Sequence, residues 1–197
     1  MKPMHFATPE GRLAFLDRLI DNLIDREGGY VDHRDDAGGP TRFGITEKVA
    51  RAHGYNGPMA MLPREEARAI YKRLFWFRPR YDDVAERAPM IASQLFDTGV
   101  NMGPAVATTF LQRALTALNR QGRDYPDLVP DGRIGKKTLA ALDRFMAMRG
   151  DAGGEKVLLR ALEALQGERY LALAEQRPAN ESFLYGWLAN RLGPIDE

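Results

Sequence analysis

Glu27, Asp36 and Thr41 put two carboxyl groups and a hydroxyl into one short stretch, nine and then five residues apart. Cutting a glycosidic bond takes such a set. One carboxylic acid must stay protonated to give its proton to the leaving oxygen, and a second group must place water or stabilise the cationic sugar. A free glutamate titrates at about 4.3, so a general acid working near neutrality needs a raised value. Glu27 closes an apolar helical pattern and precedes Gly28-Gly29, which leave room for a substrate. The partial negative charge of a helix C-terminus disfavours a second negative charge there. Arg26, next door, opposes that effect if it points the same way. By residue type alone, ordinary surface acids fit the same pattern, and Asp32 and Asp35 offer the same chemistry as Asp36.

The elements that must position these groups can be read on either side. Thr8-Pro9-Glu10 is a helix start, with a capping hydroxyl, proline at the first position and an early acid. Leu13, Leu16, Leu19, Ile20, Leu23 and Ile24 recur at helical spacing, which predicts a helix over about 9–26 ended by the glycines. Tyr30-Val31 and Phe43-Gly44-Ile45 are β-type pieces around a turn-rich stretch, so a small irregular hairpin or ordered loop is expected beside the helix end. The rest reads helical. Thr46 caps a short helix, and Pro63, Pro89 and Pro104 start others. Further helices span about 135–148, 155–176 and 181–192. The expected class is mainly α, with the hairpin as its β component.

On the helix from Pro89, residues Gln94, Asp97 and Asn101 share one face among apolar neighbours. Such a stripe suits either sugar hydroxyl and N-acetyl groups or buried bonds tying helices together. Tyr30 is placed to contact a glycan. The aromatic and basic residues from Tyr71 to Tyr81 read more readily as core with a solvated face.

Composition narrows the alternatives. The chain has 197 residues, 44% of them hydrophobic, enough for a sizeable core, and a net charge of only +1. Charge balances on either side of residue 110, so there is no basic nucleic-acid arm and nucleic acid is not an expected partner. Without cysteine there is no thiolate chemistry, and His5, His33 and His53 lack metal-ligand spacing. No metal or organic cofactor is expected. Acidic and basic residues interrupt the first apolar helix, which excludes a membrane span and a secretory signal within it.

Several blocks carry a resemblance. Glu27-Gly-Gly-Tyr-Val-Asp-His-Arg-Asp-Asp-Ala-Gly-Gly-Pro-Thr-Arg-Phe-Gly-Ile-Thr46 resembles the opening signature of glycoside hydrolase family 108. Phe75-Trp-Phe-Arg-Pro79, Phe96-Asp-Thr-Gly-Val-Asn-Met-Gly-Pro104 and Leu111-Gln-Arg-Ala-Leu115 follow in order. So do Asp131-Gly-Arg-Ile-Gly135, similar to a motif of peptidoglycan-binding modules, and Phe183-Leu-Tyr-Gly-Trp187. Together they cover about residues 18–192. The family comprises N-acetylmuramidases, among them phage endolysins and secretion-associated muramidases, and its catalytic glutamate matches Glu27.

The order Glu, Asp, Thr is similar to the triad of bacteriophage-type lysozymes, whose threonine lies one residue further on. That similarity implies water-positioning roles for Asp36 and Thr41. Arg34 stands where a proline is usual. Arg42-Phe43 replaces a polar residue and a Tyr or Trp, so Phe43 keeps an aromatic face for substrate without a hydroxyl.

The resemblance implies a lysozyme-like catalytic region over 9–110 and a helical region like a peptidoglycan-binding module over 111–192, packed as one compact unit. It implies cleavage of the β-1,4 bond between N-acetylmuramic acid and N-acetylglucosamine, with Glu27, Asp36 and Thr41 catalytic. Tyr30, Phe43, Gln94, Asp97 and Asn101 would bind substrate. A lytic transglycosylase and a non-catalytic wall-binding or phage-particle component are the competing readings. The expected partner is the peptidoglycan glycan strand, met by a monomer without membrane insertion. Made in the cytoplasm, it would need a holin or another export system to reach the wall.

Overall fold

The computed structural model describes residues 8–31, 39–150 and 153–193, with Glu27 described by its backbone alone. It divides into two compact units, Met1–Arg78 and Pro79–Glu197.

In the first unit, α1 runs Pro9–Glu27. The Thr8 hydroxyl accepts from the Gly11 N–H, and Gly28, at φ 79°, closes the helix by donating to the Ile24 carbonyl. Leu16, Ile20, Leu23 and Ile24 are buried as their spacing requires. Leu13 is exposed instead. Phe15 takes the buried position at this end, edge-on to Trp76 with ring centroids 6.3 Å apart.

Three two-residue strands follow: β1 (Tyr30–Val31), β2 (Thr41–Arg42) and β3 (Ile45–Thr46), antiparallel in that order. Phe43-Gly44, expected as strand, is the turn between β2 and β3, with φ of 54° and 73°. Positive φ at both central residues is the two-residue hairpin turn whose twist matches that of the strands. Next come α2 (Glu47–Ala52), capped by Thr46, α3 (Arg64–Tyr71), and a π-helical segment, Lys72–Phe77, that the sequence reading did not anticipate.

Two matching charge ladders join α1 to α3 and the π-helical segment. Asp17, Asp21 and Asp25 stand one helical turn apart, opposite Arg64, Arg68 and Lys72 at the same spacing. Arg64 pairs with Asp25 at 2.8 Å and Asp21 at 3.1 Å, and Asp17 with Lys72 at 2.6 Å and Arg68 at 3.1 Å. Arg68 also bonds Asp21, and that bond chiefly holds the Asp21 carboxyl below its ordinary value of 3.8. A depressed carboxyl stabilises the fold above 3.8, and this contribution is lost as pH falls through the lower folded value. Arg68→Met should therefore cost about 1–2 kcal/mol at neutral pH, since these groups are only partly buried. It should also flatten the fall in melting temperature between pH 6 and 2. Melting curves in which the variant and the original chain lose stability in parallel would refute this.

In the second unit, α4 (Tyr81–Ala85) leads to α5 (Pro89–Met102) and α6 (Pro104–Ala117). The remaining helices are α7 (Lys136–Arg149), α8 (Gly154–Gln176) and α9 (Glu181–Arg191). α5 packs on α4, α6 and α8, and α8 also on α6, α7 and α9. Ile91, Leu95, Leu111, Leu115, Leu142, Phe145, Leu158 and Leu162 fill the core. Tyr71, Trp76 and Tyr81 are each buried, so most of the aromatic residues in that stretch are core, as residue type suggested. Among the described residues no helix is long and apolar enough to cross a membrane, and no group of His, Asp or Glu is placed to hold a metal ion.

Candidate active site

The end of α1 and the small sheet are joined by two residues, Gly28 and Gly29. Packing does not require glycine at either. An added Cβ would meet no atom of the described residues within 4 Å, and only Gly28 needs its positive φ. Among the described residues, no atom therefore crowds the two positions that follow Glu27.

The strand register sets where Thr41 lies along the strand that follows the glycines. Val31, four residues after Glu27, pairs with Thr41, and Tyr30 pairs with Arg42. Directly paired residues share a face, so Val31 and Thr41 lie on one side of the ribbon and Tyr30 and Arg42 on the other. Thr41 is half-buried, and its hydroxyl donates to the Gly39 carbonyl at 3.1 Å. With its proton so placed, the hydroxyl oxygen offers lone pairs to any further partner. Tyr30 is 44% exposed.

The hairpin turn is held from beneath. The Tyr71 hydroxyl donates to the Phe43 carbonyl at 2.9 Å, and the Arg42 guanidinium lies 4.9 Å from the centre of the Phe43 ring. A left-handed phenylalanine costs about 1–2 kcal/mol, which these contacts offset. Asp36 lies outside the described residues.

Gln94, Asp97 and Asn101 belong to the second unit, where their polar atoms meet other helices. Gln94 donates to Gln166, Asp97 pairs with Arg191 at 3.5 Å, and Asn101 accepts from the Tyr170 hydroxyl at 3.1 Å. Gln166 is fully buried. It also accepts from Thr98 at 3.2 Å and donates to Tyr170 at 3.0 Å. Apart from the Asp97–Arg191 pair, which reaches α9, these bonds form a continuous polar chain between α5 and α8, with Tyr170 stacked on Trp187 at 5.2 Å. The stripe on α5 thus bonds to other helices, a role its sequence allowed beside substrate binding. Its partners Gln166 and Tyr170 carry no signal in the sequence beyond being polar atoms at buried helical positions.

Comparison with known proteins divides the chain after α5 rather than at Pro79. Residues 20–103 match the family model described as glycosyl hydrolase 108, and residues 106–192 match a predicted peptidoglycan domain. The fold is similar to that of a protein from Brucella abortus, solved as "Structure of Brucella abortus SagA". The TM-score is 0.64 and the identity 25%, over 91% of this chain and 90% of that one. No curated protein matches the chain. The mainly α, lysozyme-like class is therefore shown, as is a glycoside hydrolase acting on the peptidoglycan of the cell wall. Through residues 20–103 this chain thus carries the glycosyl hydrolase 108 match, followed over 106–192 by a domain of the predicted peptidoglycan type.

Proposed function

We propose that this hydrolase is an N-acetylmuramidase, cutting the β-1,4 bond between N-acetylmuramic acid and N-acetylglucosamine with Glu27 as general acid. The observation that carries the reading is the juncture itself. A helix ends at Glu27, the two glycines after it meet no described atom at their Cβ positions, and the strand register pairs Thr41 with Val31, four residues after Glu27.

In this reading Glu27 gives its proton to the bridging oxygen as the bond to the anomeric carbon breaks. Water, placed by Asp36 and Thr41, supplies hydroxide to that carbon and its remaining proton to Asp36. Because the Thr41 proton is committed to Gly39, water would donate to Thr41 and keep a lone pair for attack. Asp36 enters on sequence order and on the resemblance to the lysozyme triad. Tyr30 and Phe43 supply aromatic faces for sugar rings. Gln94, Asp97 and Asn101, bonded to other helices, are assigned to the sugar hydroxyl and N-acetyl groups, and the catalytic region is assigned to 9–110 with the wall-binding region at 111–192.

Mass spectrometry of digested sacculi tests this directly. Reducing muramic ends, heavier by one water than the anhydro form, are the expected product. Anhydro-muramic ends would make the protein a lytic transglycosylase. Binding to sacculi with no released fragments would make it a wall-binding component.

A further inference from the structure

A solvent-open pocket of about 370 Å³ lies in the second unit, between the first turns of α6, the middle of α8 and the loop before α7. This loop is the Asp131-Gly-Arg-Ile-Gly135 motif, and its position is fixed. Gln112, 2% exposed, accepts from the Gly132 N–H at 3.0 Å and donates to the Asp131 carboxylate at 2.8 Å and the Arg133 carbonyl at 3.1 Å. Asp131 also accepts from the Arg133 N–H at 3.0 Å, so its charge is occupied within the loop.

The other charged groups in the lining are not engaged. Among the described residues, Arg113, Glu168 and Arg169 form no ion pair and no side-chain hydrogen bond. They stand around an apolar floor of Val106 and Phe110. Two guanidinium groups and one carboxylate, all unspent, on an apolar floor describe a site for a small zwitterionic ligand with more acid than amine.

Peptidoglycan contains one component of that chemistry. Its glycan is largely uncharged N-acetyl sugar, to which two arginines would add little. Its stem peptide carries several carboxylates and, at the diamino residue, an amine. We propose that this pocket binds the stem peptide, with Arg113 and Arg169 on its carboxylates and Glu168 facing its amine. The proposal rests on peptidoglycan being the substrate and does not depend on which bond is cut.

Calorimetry on the full chain tests it with a soluble tripeptide, alanyl-γ-D-glutamyl-diaminopimelate, and with the same tripeptide amidated at its carboxyl groups. The free form should bind at least about tenfold more tightly, the cost of losing one charge-assisted pair. Arg113→Gln and Arg169→Gln should each erase most of that preference, and Glu168→Gln should weaken the free form. Equal affinity for both tripeptides, or a preference that survives in both arginine variants, would overturn the assignment. The ligand comparison uses the unaltered chain, so it decides the matter even if a variant folds poorly. Digestion of peptide-free glycan strands separates the two readings. Cutting without tripeptide binding sinks the pocket alone, and tripeptide binding without cutting sinks the muramidase alone.

Discussion

Glu27→Gln is expected to lower wall hydrolysis by about three orders of magnitude, in line with the loss of a positioned general acid, while leaving the melting temperature unchanged. The amide has nearly the same shape as the acid but cannot give up a proton to the bridging oxygen. Helix α1 is closed by the Gly28 N–H on the Ile24 carbonyl, and its buried face is Leu16, Ile20, Leu23 and Ile24. Release of soluble fragments from labelled sacculi, read beside a melting curve, separates chemistry from folding. Normal turnover would remove Glu27 from the reaction. Lost turnover with a large drop in melting temperature would point to a structural role instead. Thr41→Val should be milder, because it leaves the proton donor and removes only one of two groups that place water.

Local signals in the sequence located the helix ends because each terminus carries its own chemistry. Thr8 and Thr46 cap, Pro89 and Pro104 start helices, and Gly28 stops one. Periodicity likewise marks Leu16, Ile20, Leu23 and Ile24, all buried. The turn at Phe43-Gly44 was hidden, because phenylalanine favours strands and takes a left-handed backbone here only with Tyr71 bonded to its carbonyl from 28 residues away. Long-range partners were hidden for the same reason. The Asp17, Asp21, Asp25 ladder first reads as interruptions of an apolar helix, and it becomes a docking edge only beside Arg64, Arg68 and Lys72. Glu27 and Thr41 were legible as a pair of residue types. What the structure adds is the pairing of Thr41 with Val31, four residues after Glu27.

Gly132→Ala should destabilise the protein by about 3–4 kcal/mol, far more than the same change at Gly122. Both glycines have positive φ, 72° and 76°, so each variant pays about 1–2 kcal/mol for a left-handed alanine. Around Gly122 an added Cβ meets no described atom within 4 Å, and the backbone strain is the whole cost. At Gly132 the Cβ would stand 2.9 Å from the Ala105 carbonyl oxygen and 3.2 Å from the Ala105 Cβ, at the start of α6. Backbone at a helix start yields little, so the loop must move instead. That movement breaks the bond from the Gly132 N–H to Gln112 and leaves a buried amide oxygen unsatisfied, worth about 1–3 kcal/mol. Chemical unfolding of the two variants gives the comparison, and equal losses would show that the contact with Ala105 is slack. The same shift displaces one wall of the pocket on α6 and α8, so Gly132→Ala should also weaken tripeptide binding where Gly122→Ala does not. A loop read first as a turn motif would then be what couples the stability of the C-terminal helices to their grip on the wall.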